Sequence, residues 1–153
     1  AYFLDTYGQP VFSLIVRMVN SEEDAEELTQ DTFMKAFEHL SSFNGKSSFS
    51  TWIYRIALNT CISFIRKEKN IPEIVTLTQE ADRTEETDET QAMLRQLYRM
   101  INRLGQLEKS IILLYLEEKS YEDISEITGL TVTNVATKLN RIKDKLKKMN
   151  KED

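Results

Sequence analysis

The sequence predicts an all-α protein of two small helical domains joined by a flexible acidic linker, the second of them a helix-turn-helix domain. Apolar residues recur at three- and four-residue spacing along most of the chain, and no run alternates cleanly over the length of a strand. Only four glycines and two prolines interrupt the 153 residues. Residues 70–90, NIPEIVTLTQEADRTEETDET, break the pattern: they are rich in Thr, Glu and Asp, contain Pro72 and hold almost no large apolar residue beyond Leu77. Such a stretch is too polar to fold alone. The expected division is therefore a bundle over 1–69, a linker over 70–90 and a second bundle over 91–153.

In the first bundle, Tyr2 to Val19 reads as one apolar helix, broken or started near Pro10, the chain breaker in its middle. Ser21 followed by Asp24 marks the next helix start in the manner of a capping box. Ala25, Leu28, Thr32, Phe33, Ala36, Phe37 and Leu40 then form a broad core stripe. Its early turns are crowded with Glu22, Glu23, Asp24, Glu26, Glu27 and Asp31, with Gln30 and Lys35 among and after them. That is favourable dipole chemistry at a helix start, or an acidic docking surface for a basic partner helix.

The third helix is expected from Ser50 to Lys67, after the loop SSFNGKSSF. Unrolled at 100° per residue, Ile53, Ile56, Ala57, Thr60 and Phe64 face the core, whereas Trp52, Arg55, Asn59, Ser63 and Arg66 line another side. A ring for stacking, an amide able to read a base edge and guanidinium groups for phosphate are what a single nucleic-acid strand requires. A tryptophan packed on its neighbours beside a solvated face would read the same way.

In the second bundle, YEDISEITGLTVTNVATKLNRI (121–142) has the pattern of a helix-turn-helix. Ile124 lies inside the first helix, Ser125 is small where two helices approach, Gly129 sits at a turn needing positive φ, and Val135 lies on the inner face of the second helix. The stripe Val132, Val135, Leu139, Ile142, Leu146 and Met149 is expected inside. Thr133, Asn134, Thr137, Lys138, Arg141, Lys145 and Lys148 are expected outside, as in a helix with its first residues at base edges and its later cations on phosphate.

The formal charge of −5 hides two opposed blocks. Residues 73–89 hold seven acidic residues against Arg83, and residues 131–151 hold seven basic residues against Asp144, which separates an acidic segment from a basic binding face. One cysteine, Cys61, and one histidine, His39, allow neither an internal disulfide nor a usual zinc site, so Cys61 is read as a core residue and His39 as a helix-end cation. No metal and no cofactor are expected. No run approaches the ~18 apolar residues of a membrane span, and the first residues lack the pattern of a signal peptide, so a cytoplasmic protein that does not insert in membranes is expected. The chain begins with Ala1 rather than methionine, which implies a trimmed or processed start. An enzyme is disfavoured: there is no Gly-rich phosphate loop, and no Ser/His/Asp or Cys/His set that gives the single histidine company.

Taken together, these segments resemble the extracytoplasmic-function (ECF) sigma factors, the compact two-domain group of bacterial sigma factors. DAEELTQDTFMKAF (24–37) is similar to the family's polymerase-docking helix, FSTWIYRIALN (49–59) to its strand-opening and promoter-reading segment, and 121–142 to its C-terminal helix-turn-helix. The resemblance implies that Asp24, Glu27, Gln30 and Asp31 lead contact with the clamp helices of the largest subunit of core RNA polymerase, and that the second domain meets the flap of the second-largest subunit. It implies a pocket for an unpaired minus-10 base from Phe43, Asn44, Lys46 and Phe49, backed by Asn59, with Trp52, Arg55 and Arg66 on the same DNA. At the minus-35 element it implies Thr133, Asn134, Thr137, Lys138, Arg141 and Lys145. An anti-sigma factor is an implied partner, and the linker would run through the polymerase's active-site and RNA-exit channels. Ala136 stands where the family often has Arg or Lys, and Asn140 where a larger residue is common, so base reading at minus-35 is expected to rest on the residues named. The other reading is a polymerase-independent helix-turn-helix regulator whose N-terminal domain binds a ligand or partner.

Overall fold

The computed structural model describes residues 2–68 and 88–152, the side chains of the first three of these excepted. Residues 69–87, most of the expected linker, lie outside the described residues, and with them the expected path through the polymerase channels. The described residues form seven α-helices in order: α1 (Tyr2–Val19), α2 (Glu22–Glu38), α3 (Phe49–Lys67), α4 (Asp88–Ile101), α5 (Gln106–Leu116), α6 (Tyr121–Thr128) and α7 (Val132–Glu152), with a 3₁₀ turn at Leu40–Ser42. Among the described residues there is no strand.

Helices α1 to α3 form one bundle and α4 to α7 the other, and the two pack directly together, α1 on α5 and α3 on α6. One apolar cluster runs through both, from Val11, Leu14, Ile15 and Met18 of α1, across Ile53, Ala57 and Cys61 of α3, to Ile111 and Leu114 of α5 and Ile124 of α6. Cys61 is therefore a core residue, and burial pushes its thiol up to about 12.

Helix starts follow the expected capping chemistry. Ser21 Oγ accepts from the Asp24 N–H at 3.2 Å, Ser48 Oγ from Thr51 at 3.1 Å and Ser120 Oγ from Asp123 at 3.0 Å. Ser48 rather than Ser50 thus opens α3. Helix α4 begins at Asp88, inside the stretch expected as linker, with Asp88 and Glu89 in the first turn where the dipole favours them. Pro10 neither breaks nor starts a helix; α1 continues through it, and the exposed Thr6 leaves the carbonyl that Pro10 cannot serve open to water.

Three sequence-based placements need correcting. Phe37, expected in the core, is 76% exposed, and Leu40 leaves α2 for the 3₁₀ turn at 38% exposed; the face that α2 buries consists of Ala25, Leu28, Thr32 and Ala36, and Phe37 falls outside it. Val132, the first residue of α7, is 40% exposed, as a side chain in a helix's opening turn with no preceding turn beside it can be; Val135, Leu139 and Ile142 are fully buried. On α3, Tyr54 and Leu58 are buried alongside the expected face, and Tyr54 meets Glu117 and Lys119 of the second bundle.

Gly8 and Gly129 should respond oppositely to alanine. Gly129 closes α6 at φ 84°, ψ 3°, so Gly129→Ala forces a Cβ into the left-handed region and should cost about 1 kcal/mol or more. Gly8 lies within α1, and a Cβ added there would meet nothing, so Gly8→Ala should stabilise by about 0.5–1 kcal/mol through the unfolded chain. Urea unfolding of the two variants would measure both signs.

Candidate nucleic-acid interface

The loop before α3 is folded by its own residues. Asn44 Oδ1 accepts from the Lys46 N–H at 3.0 Å, and Gly45 between them sits at φ 75°, a conformation that glycine adopts without strain. The loop lays its rings on the helix start: Phe43 lies 5.2 Å from Trp52 and edge-on to Phe49 at 5.7 Å, and Phe49 meets Trp52 at 5.5 Å and Tyr7 of α1 at 5.4 Å. Phe43, Phe49 and Trp52 are each half-buried, so each ring spends one face on its neighbours. Asn44 and Lys46 are exposed at the loop tip.

Beyond Trp52 the stripe Arg55, Asn59, Ser63 and Arg66 is exposed along α3. Arg55 is nevertheless engaged. Its Nε donates to the backbone carbonyl of Glu126 at 3.0 Å, and Nη2 donates to the same oxygen. Glu126 belongs to α6, the first helix of the helix-turn-helix. A cleft of about 420 Å³ results, lined by Phe43, Asn44, Lys46, Trp52 and Arg55 from the first bundle and by Glu126 from the second. Glu126 was invisible to sequence reasoning, because a backbone acceptor carries no residue signature and the contact spans 71 positions.

The helix-turn-helix is tied at its turn. Gly129 donates to the Ser125 carbonyl at 2.8 Å, Ser125 Oγ donates to the Leu130 carbonyl at 2.5 Å, and Thr131 Oγ1 accepts from the Asn134 N–H at 3.1 Å to cap α7. Thr133, Asn134, Thr137 and Arg141 are exposed and Lys138 is half-buried. Lys145 is held 2.9 Å from both carboxylate oxygens of Glu108, a surface pair of small worth. Lys143 is turned the other way, over the Tyr115 ring at 4.4 Å.

On α2, Asp24, Glu27, Gln30 and Asp31 share a side with two residues that sequence reasoning put elsewhere or passed over. Met34 and Phe37 are 60% and 76% exposed and continue the same side at helical spacing, within an arc of about 140° opposite Ala25, Leu28 and Ala36. Their signal was available: a methionine and a phenylalanine at i and i+3 following an acidic turn. Periodicity could not separate them from the core stripe beside them.

Comparison with known proteins gives the arrangement a family. Residues 3–71 match the model of Sigma-70 region 2, and residues 94–146 match that of Sigma-70, region 4. The chain is 34% identical over 152 residues to RNA polymerase sigma factor YlaC of Bacillus subtilis, covering 93% of this chain and 86% of that one. It is 32% identical to the ECF RNA polymerase sigma-E factor of Haemophilus influenzae, covering 90% and 80%. The fold matches the sigma factor RpoE solved with the anti-sigma factor NepR from Bartonella quintana, with a TM-score of 0.78 at 21% identity over 98% of this chain and 95% of that one. It also matches CnrH solved with the cytosolic domain of CnrY, at 0.76 and 20% identity over 99% and 87%. This chain belongs to the sigma-70 family, in its ECF group: it is a sigma factor that directs transcription initiation.

Proposed function

We propose a division of labour for that activity within the chain, carried out in the cytoplasm. The observation that carries it is the presence in one chain of an exposed acidic-apolar face on α2, an exposed aromatic-cationic stripe on α3 and a cation-bearing second helix in the helix-turn-helix. Asp24, Glu27, Gln30 and Asp31, continued by Met34 and Phe37, dock on the clamp helices of core RNA polymerase: the carboxylates meet basic residues and the two apolar side chains supply area removed from water. The second bundle docks on the flap of the second-largest subunit and lays α7 in the major groove at minus-35. There Thr133, Asn134, Thr137 and Lys138 face base edges, and Arg141 and Lys145 take phosphate.

At minus-10, Asn44, Lys46 and the exposed faces of Phe43, Phe49 and Trp52 receive a base that has left the duplex, with Arg55, Asn59 and Arg66 along the strand. Extruding a base costs a few kcal/mol, and stacking it on a ring returns about 1–3 kcal/mol, so strand opening runs close to balance without ATP. In the closed arrangement the guanidinium of Arg55 is already spent on the Glu126 carbonyl across the seam. Reading DNA with both domains therefore requires the seam to part. An anti-sigma factor that held the domains together would be an effective inhibitor; the complex of RpoE with the anti-sigma factor NepR supports an anti-sigma partner.

The decisive experiment adds the purified chain to core RNA polymerase and follows initiation at a defined promoter. Promoter-specific transcripts are expected; tight duplex binding without any binding to core enzyme would instead describe a polymerase-independent regulator. Within that assay, Asp31→Lys should weaken core binding roughly tenfold by setting like charges face to face, while helicity stays unchanged. Arg141→Ala should weaken promoter binding about tenfold and lower the salt slope by about one phosphate. Unchanged transcription by this variant would remove α7 from the groove.

A further inference from the structure

Helix α5 carries two ionisable residues into the seam between the bundles, neither with a full counter-charge. Lys109 is 3% exposed. Its ammonium donates to the Met18 carbonyl of α1 at 3.0 Å and to Asn102 Oδ1 at 2.6 Å, and the same Oδ1 accepts from Asn20 Nδ2 at 2.5 Å. These acceptors are neutral; among the described residues no carboxylate is paired with Lys109. Two turns further on, Glu117 caps α5. One of its oxygens hydrogen-bonds with Tyr54 of α3, while Oε2 is buried with no partner.

The surrounding charges are occupied elsewhere. Lys119 lies near Glu117 but sits over the Tyr54 ring at 4.3 Å, with Ser50 Oγ at 3.4 Å. On α1, Arg17 lies over the Tyr98 ring at 3.8 Å. On α3, Arg55 is turned to Glu126, and the buried Cys61 is the titratable group that acts on Lys109. On α7, Lys143 faces Tyr115 and Lys145 faces Glu108.

We propose that Lys109 and Glu117 set the strength of the seam, so that closure of the two domains is weakest when both are ionised. The inference rests on the proposal that the domains separate to bind DNA. Its physical basis is that each group surrenders water on closing and recovers only part of that hydration from neutral partners, whereas both are solvated once the domains part.

Each group fixes one arm of a pH dependence. Burial lowers Lys109 to about 8, with Cys61 pulling slightly the other way. Its penalty on closure is therefore full below pH 8 and is relieved as pH rises from there toward the free-lysine value. Burial raises Glu117 to about 6 against the pull of Tyr54 and Lys119, so its penalty is full above pH 6 and is relieved as pH falls toward the free-carboxyl value. Between these limits both are charged, and the closed form is at its least stable. Proton loss from Lys109 or proton gain by Glu117 changes the closing constant by up to about tenfold per pH unit between the closed and solvated values. The constant should therefore rise on the order of tenfold from pH 7 to about pH 9.5, and several-fold from pH 7 to about pH 5.

Small-angle X-ray scattering of the free full chain over that range, with circular dichroism at each pH, tests this. The radius of gyration should peak near neutrality and fall on both sides at constant helicity. Lys109→Met should be compact at neutral pH, lose the alkaline arm and bind core polymerase several-fold more weakly; Glu117→Gln should lose the acid arm. A radius that does not move with pH and is unchanged in both variants would overturn the proposal, as would expansion at both extremes with helicity intact. If one variant loses helicity, the wild-type profile and the other variant decide. A chain that binds core polymerase but shows a flat profile defeats this inference alone. A peaked profile without core binding defeats the polymerase reading and leaves the seam.

Discussion

Six consecutive residues of α5, Lys109 to Leu114, are buried, and six residues of an α-helix point in every direction around its axis. A helix without a solvent face must be covered on all sides. Its own bundle supplies only part of that cover, through α6 and α7; the rest comes from α1, where Met18 meets Ser110 and Lys109. The packing of the two bundles follows from this demand. Once α1 lies on α5, α3 is brought against α6, Tyr54 and Leu58 lose their water, and Arg55 arrives at the end of α6.

The sequence was most legible where one element decides its own fate. The three-four stripe of α7 and the positive φ at Gly129 need only local geometry, and the serine cap at 21 names its own helix start. It was least legible where two elements share a residue. Tyr54 and Leu58 belong to no single stripe of α3, because two partners cover adjacent sides of it. Phe37 has a core residue's chemistry and a core residue's spacing, yet it falls outside the face of Ala25, Leu28, Thr32 and Ala36 that α2 buries. In the candidate site, Trp52 and Arg55 could be gathered from helical spacing and Phe43, Asn44 and Lys46 from the family resemblance, whereas the Glu126 carbonyl facing them depends on how the bundles meet.

The polar content of the seam is part of the same constraint. A seam lined only by Ile, Leu and Met would close more tightly, since replacing buried ionic groups by apolar ones of similar size is often stabilising. Here the apolar contact of Met18, Ile111 and Leu114 is interrupted by the Asn20–Asn102–Lys109 cluster and by Glu117. Asn20 even takes a left-handed φ of 57° as α1 ends at this cluster, a conformation asparagine tolerates better than most residues. Charged groups held mainly by neutral partners make the contact specific in geometry without making it strong.

On the proposed reading, closure and DNA reading share one group, Arg55, which meets the Glu126 carbonyl in the closed form. Glu126 lies in the last turn of α6, where carbonyls lack intrahelical donors and the helix dipole concentrates roughly half a negative charge. A guanidinium meeting that oxygen finds a weak imitation of the anion it would meet on a nucleic-acid strand. A phosphate carries a full charge and offers two oxygens in a geometry that the planar fork of arginine matches. In the proposed function the carbonyl parks Arg55 and a phosphate takes it over, which requires the energy of parting the seam to be small. That condition returns to α5, whose apolar residues draw the bundles together while Lys109 and Glu117 limit how firmly they hold.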